Sequence, residues 1–420
     1  MKRLVGHEVV RRSVLFAISI VASTIVGFFS IPVLVSSIGA SGWGHLAVMQ
    51  SVCQLFAVVV AFGWGAIGPS MVSAAPVQTR KRMYVESLYF RGALALVALP
   101  LAYLVCGLLT GETPAAVALA VVSYVVPGLS AAWYFVGTNR PVAMFLCDAM
   151  PVILGQVAGL VAILFVPDVT VYLACTALFG VGGAAASAIF VLTRPEGPAG
   201  SRTRMPWLEI ARVQAAGVST TISASIWSAA PIVLVQALAP AALPVYAMVD
   251  RLMKYGILAL APVLQAVQGW VPEQGPEHVP HRARVAVRIG WGIGALGGLG
   301  LAGLSTPLSA VLTLGEATVP WGVAAIAGAA FLFEAVAQLT GLAVLVPLGG
   351  GRQLAVSSVA TAVVGVPLIA LLVWWAGLVG AVVGMLLVAL GVALYRVAHA
   401  RRLAAALSAD AQAPDAPAQA

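Results

Sequence analysis

Apolar runs of roughly 20 residues follow one another from end to end of this chain, and each is about the length an α-helix needs to cross a bilayer. The basic residues sort between them. All but two of the 22 Lys and Arg lie in or beside alternate breaks, and the intervening breaks, such as 37–42, 111–113 and 239–242, contain none. Such sorting predicts a polytopic, all-helical integral membrane protein with every second loop on the cytoplasmic side. Composition agrees. Of 420 residues 61% are hydrophobic and 9% charged, whereas a soluble domain carries about 25% charged residues. The net charge of +8 is spread over membrane-flanking loops rather than one patch, which argues against nucleic acid as a partner.

Twelve spans are expected, at residues 13–37, 43–74, 88–110, 114–136, 142–166, 169–192, 207–238, 243–271, 285–304, 321–347, 354–374 and 378–395. Residues 305–320 are apolar enough to prolong the ninth span or to lie along the interface. The basic clusters put both termini in the cytoplasm. The expected layout is a cytoplasmic N-terminus at 1–12, six-helix bundles at 13–193 and 207–397, a cytoplasmic linker at 194–206 and a disordered cytoplasmic tail at 398–420. The first run is too long for a signal-peptide core and reads as a retained helix. External loops are short, so no extramembrane catalytic domain is expected. Cys53, Cys106, Cys147 and Cys175 fall in apolar runs at unrelated spacings, implying neither a metal site nor a disulfide framework, and no cofactor is indicated.

The two halves look related. Residues 32–50 read PVLVSSIGASGWGHLAVMQ and residues 231–250 read PIVLVQALAPAALPVYAMVD. Each starts at a proline within a span, crosses a short uncharged turn and enters the next span. A repeat of six spans preserves orientation, so the repeats would be parallel, related by an axis along the membrane normal.

The two exceptional cations, Arg251 and Lys254, lie inside the eighth span together with Asp250. Asp250 and Lys254 are four apart on one helix face and can form an ion pair. Arg251 is then the net positive charge, suited to an anionic group such as a phosphate or diphosphate. The same cluster would also serve simply to fix helix register. Asp148 and Glu334 are the other acids within spans. Each reads as a proton or cation site for ion coupling, or as a neutral side chain bonded to a neighbouring helix. In the seventh span, which also carries Ser219, Thr220 and Ser223, the residues Thr221, Ser225 and Ser228 share a face. They form interhelical contacts or the polar wall of a wet cavity, and Ser23, Thr24 and Gly27 occupy the related place in the first span. The sequence Gly292-Ile293-Gly294-Ala295-Leu296-Gly297 spells a dinucleotide fingerprint but has no preceding strand, so helix packing along Gly290, Gly294 and Gly298 is expected. His45, at the outer end of the second span, is an isolated candidate for a proton-sensitive contact.

The stretch IPVLVSSIGASGWGHLAVMQSV at 31–52 resembles the opening of bacterial polysaccharide exporters of the O-antigen flippase type. Residues 244–273, PVYAMVDRLMKYGILALAPVLQAVQGWVPE, look like the eighth helix of the same group. The resemblance implies a member of the multidrug/oligosaccharidyl-lipid/polysaccharide (MOP) exporter superfamily, with twelve helices in two parallel six-helix repeats forming a V-shaped transporter of the MATE type. It further implies a flippase of the bacterial cytoplasmic membrane that moves undecaprenyl-diphosphate-linked oligosaccharide from the inner to the outer leaflet by alternating access. H+ or Na+ would be the coupling ion, and glycan-assembly proteins would be partners. Substrate contacts would fall to Arg251, Lys254, Thr221, Ser225 and Ser228, and ion coupling to Glu334, Asp250 and Asp148. The first half departs from the pattern in having few deep basic residues, Arg91 alone being near the membrane. An ion-coupled multidrug or metabolite exporter of the same superfamily is the alternative. A membrane-embedded glycan polymerase or ligase fits less well, since it would need a sizeable external loop.

Overall fold

The computed structural model describes residues 2–194, 207–273 and 275–410, with side chains from Thr24 to Leu407 apart from residue 276 and most of 207–220. Linker residues 195–206, the tail from 411, and the side chains of Lys2, Arg3, Arg11, Arg12, Ser23, Arg202, Arg204, Ser219 and Thr220 lie outside the described set. Among the described residues every regular element is helical.

Helix α1 spans Lys2–Ala61. Sixty residues would reach about 90 Å unbroken, three times the hydrocarbon thickness. The helix breaks at Gly39 (φ 74°, ψ 165°), a backbone that favours glycine. The chain restarts at Ala40, whose N–H donates to Glu316 Oε2 at 2.8 Å. A second break, at Phe62 and Gly63 with positive φ, separates α1 from α2 (Trp64–Ala74), so the expected second span is two helices. Helix α3 (Val77–Thr110) ends on Gly111 in the left-handed region. Helix α4 (Pro114–Val125) starts with Pro at its first turn, and the Thr113 side chain accepts from Ala116 N. Pro127 lies in a 3₁₀ turn at Val126–Leu129.

Two short helices follow, α5 (Ala132–Gly137) and α6 (Pro141–Met144). A π-helical segment, Phe145–Ala149, then leads into α7 (Met150–Phe165). Asp168 caps α8 (Val169–Thr193) by accepting from Thr170 N at 2.7 Å, which holds its carboxyl below the usual carboxylate range. Helices α9 (Trp207–Leu238) and α10 (Leu243–Trp270) are joined through a 3₁₀ turn at Pro240–Ala242. Helix α11 covers Val279–Leu312, so the front of 305–320 prolongs the ninth span. A turn follows in which Leu314 and Gly315 both have positive φ. Helix α12 (Trp321–Leu339) passes into a π segment at Thr340–Leu345. Helix α13 (Gly351–Ala360) passes into another at Thr361–Gly365, and α14 (Val366–Asp410) completes the chain. Helix α14 breaks at Gly377 (φ 54°). There the chain doubles back, because Gly380 packs on the Leu372 carbonyl and Gly384 on Ile369.

Nine stretches of the described residues are long and apolar enough to cross a membrane. Two of them, Thr24–Ala74 and Gly351–Leu407, contain the breaks at Gly39 and Gly377. Helix α10 is not among the nine; Asp250, Arg251 and Lys254 lower its hydropathy. The chain divides into two compact units, Met1–Ala229 with Leu312–Glu316, and Ala230–Val311 with Ala317–Ala420.

Within the second unit the glycine stripe of α11 packs on α12. A β-carbon at Gly294 would lie 2.8 Å from the Leu332 carbonyl oxygen, and one at Gly298 2.5 Å from that of Gly328. Gly298→Val should therefore lower stability by about 1–3 kcal/mol through overpacking. Thermal unfolding of the purified protein measures it, and an unchanged melting temperature would contradict this packing.

Candidate functional site

Helix α10 carries the charges singled out in the sequence. Tyr246, Ala247, Met248, Val249, Leu252 and Met253 are buried, and they anchor the helix so that Asp250 is drawn in with them. Tyr246 donates from its hydroxyl to Met385 Sδ at 3.0 Å, tying α10 to α14 one turn before Asp250. Gly256 meets the ring of Phe331 on α12. Lys254 Nζ lies 2.8 Å from Asp250 Oδ2, the i,i+4 pair that the spacing allows. Arg251 is half-buried, with the hydroxyl of Tyr255 beside its guanidinium. The ion pair lies in the first half of the 28-residue helix. Lys254 is thus partly neutralised by its own helix, whereas the Arg251 fork is shaped for two oxygens of a phosphate.

The other candidates are distributed over both units. Thr221, Ser225 and Ser228 belong to the first. Thr221 donates to the Val218 carbonyl and Ser225 to that of Thr221, so both hydroxyls bond back to their own helix, while Ser228 is exposed. Asp148 also belongs to the first unit, in the π segment Phe145–Ala149, and accepts from the Ser130 hydroxyl. In the second unit Glu334 Oε1 accepts from Gln338 Nε2 at 3.1 Å. Gln338 is the polar wall of an otherwise apolar cleft between α10, α11 and α12, lined also by Val263, Leu264 and Ile293.

One reading is corrected: His45 is not isolated, because its Nδ1 lies 2.8 Å from Glu112 Oε1 in the turn after α3. Cys53 and Cys106, both buried, have their sulfurs 3.7 Å apart as free thiols. The arginines outside α10 are expected as flanking charges, yet three of them are buried. Arg91 donates to the carbonyls of Gly128 and Ser130 at 3.1 and 2.9 Å. Arg282 donates to the Trp270 carbonyl, where α10 ends. Arg396 donates to the Ala337 carbonyl and to the hydroxyls of Ser357 and Ser358, with Glu334 acting on it electrostatically. The signal that could have found them is a break or π segment opposite an arginine, which single-sequence periodicity does not show.

The chain was compared with known proteins. No family model and no curated protein matches the sequence. Solved structures do. A multidrug resistance MATE family transporter of the MOP superfamily, in its inward-facing conformation, aligns with a TM-score of 0.65 at 16% identity, over 92% of this chain and 96% of that one. The lipid II flippase MurJ, in an inward closed conformation, aligns with a TM-score of 0.68 at 10% identity, over 94% and 90%. A variant of the Vibrio cholerae MATE transporter VcmN aligns with a TM-score of 0.59 at 12% identity, over 95% and 97%. This chain shares their fold. At such low identity the likeness covers the path of nearly the whole chain and leaves cargo to the side chains.

Arg91 gives the sharpest structural expectation. Arg91→Met strands the Gly128 and Ser130 carbonyls in the interior, at about 1–3 kcal/mol for each unmade bond. The melting temperature in detergent should fall accordingly, with Arg91→Lys intermediate; stability equal to wild type would show that these carbonyls have another donor.

Proposed function

We propose that the chain is an alternating-access transporter of the MOP superfamily that flips lipid-linked oligosaccharide, on an undecaprenyl-diphosphate carrier, from the inner to the outer leaflet. It would act in the bacterial cytoplasmic membrane with both termini inside, as a carrier rather than an enzyme. The twelve helices would comprise the nine apolar stretches, the extra helix created by each of the breaks at Gly39 and Gly377, and α10. They would form bundles at 13–193 and 207–397. The fold shared with a lipid II flippase supports this reading. The observation that carries it is the pair of cations in the first half of α10, Lys254 held by Asp250, and Arg251 next to Asp250 in the chain. Charge at that depth costs at least ~2.5 kcal/mol per residue on insertion scales, which favours a working role over an ornamental one. Arg251 is assigned the larger share of diphosphate binding and Lys254 the smaller. Arg251→Ala with Lys254→Ala should leave insertion intact and cut export of surface glycan at least about tenfold, the equivalent of one lost charge-assisted bond. Normal export by the double variant would remove the assignment.

A second reading is favoured by the MATE transporters among the structural neighbours and by the Glu334–Gln338 pair behind its apolar cleft. It makes the chain an ion-coupled exporter of drugs or metabolites, with Glu334 and Asp148 as the coupling acids. Under it, Glu334→Gln abolishes drug resistance in a complemented deletion strain while the Arg251 and Lys254 variants retain it. Under the first reading surface glycan responds and drug susceptibility does not.

A further inference from the structure

Helix α1 resumes at Ala40 after the break at Gly39, and burial fixes its next turns. Trp43, Leu46, Val48 and Met49 are at most 4% exposed. With these side chains packed inwards, His45 keeps a quarter of its surface exposed, and its Nδ1 lies 2.8 Å from Glu112 Oε1. Glu112 is equally well placed. Gly111 ends α3 in the left-handed region, its N–H donating to the Gly107 carbonyl at 3.1 Å, and Thr113 caps the start of α4. The acid is thus held in a short link between two helix caps.

An ionised carboxylate only accepts hydrogen bonds, so Nδ1 carries the proton in this contact. The neutral ring can keep that bond. When Nε2 is protonated as well, the imidazole gains a positive charge, and a charge-assisted bond is roughly twice as strong as a neutral one. Histidine makes this change between about pH 5 and 8, whereas carboxyls take up protons only at about pH 4. The contact is therefore strongest in mild acid and weakens as rising pH strips the charge from the ring. Partial exposure lets protons reach both groups.

No Lys or Arg occurs at 13–79 or 92–139, so no fixed cation competes for Glu112 from these stretches. Helix α1 packs on α3, α4 and α7. Along α3 the basic residues end at Arg91, about 30 Å of helix away and bonded to Ser87, Gly128 and Ser130. Cys106 of α3 faces Cys53, and Tyr103 is exposed. Helix α4 carries Tyr124 and no charge, and α7 carries no titratable side chain. Asp148 accepts from the Ser130 hydroxyl and Asp168 from Thr170 N. Glu316 accepts from Ala40 N, about 8 Å back along the helix axis, where its charge also favours a protonated His45. Among the described residues Glu112 is the charged group bonded to His45.

We propose that His45 and Glu112 form a proton-operated clasp between the resumed part of α1 and the end of α3, tight when the imidazole is charged and slack when it is neutral. It acts on the helix end created by the Gly39 break and does not depend on the cargo proposed above. Hydrogen exchange of the full-length purified protein reads it, followed by mass spectrometry at about pH 6 and about pH 8 and corrected for the intrinsic pH dependence of amide exchange. Peptides covering 40–48 and 107–113 should be about two- to fivefold better protected at the lower pH, as expected for a partly exposed ion pair. His45→Gln keeps a neutral hydrogen bond and should erase the difference. Glu112→Gln should at least halve it. No difference in the wild type, or the full difference persisting in either variant, overturns the proposal and leaves the pair as a static packing contact. If His45→Gln does not fold, the wild type and Glu112→Gln decide the matter by the same criteria.

Discussion

In hydrocarbon a backbone carbonyl or N–H has no water to turn to, so any helix break inside a membrane must be answered by the protein itself. This chain breaks its helices repeatedly, at Gly39, at Phe62 and Gly63, at 126–131, at Gly377 and in three π segments. Arginine supplies much of the answer. Arg91 closes the carbonyls around the 126–131 break, Arg282 the end of α10 and Arg396 the end of α12. One guanidinium presents five donors in a fixed fork, so one side chain can serve several freed carbonyls. The positive charge brought inside is the consequence, and it is why buried cations in this fold divide into two kinds. Those on carbonyls hold the scaffold together. On α10, by contrast, Lys254 meets a carboxylate four residues away on the same helix.

Much of the scaffold was legible because a membrane simplifies the reading. Long apolar runs require no knowledge of packing, and they match the helical stretches from α3 to α12 closely. The i,i+4 pairing of Asp250 with Lys254 was equally local and could be seen in the spacing. The spacing of the α11 glycines already signals a packing stripe, and Gly294 and Gly298 meet backbone atoms of α12. What escaped were contacts made at long range. The partner of His45 is 67 residues away, the carbonyls of Arg91 are 37 and 39 away, and that of Arg396 is 59 away. Nothing in local periodicity distinguishes an arginine that flanks a bilayer from one that reaches across to a neighbouring helix.

The breaks were partly hidden for a related reason. Pro127 advertises its turn through a missing N–H, but Phe62 and Gly63 interrupt an apolar run with no change in hydropathy. The π segments at Phe145–Ala149 and Thr340–Leu345 look helical by composition and differ only in hydrogen-bond register. The first contains Asp148 and the second follows shortly after Glu334, where a wider helical turn can point a carboxylate away from its regular face.

The cap at the Gly39 break bears on how the molecule is made. Ala40 receives its carboxylate from Glu316, 276 residues later in the chain. At ribosomal speeds of roughly 5–20 residues per second, that partner emerges about 15–55 s after the helix it completes. During that interval the nascent chain must keep the start of its second membrane crossing with some other acceptor, water or lipid headgroup. Closure of this end of the first unit is therefore a late event of biogenesis, dependent on the chain having been translated as far as Glu316.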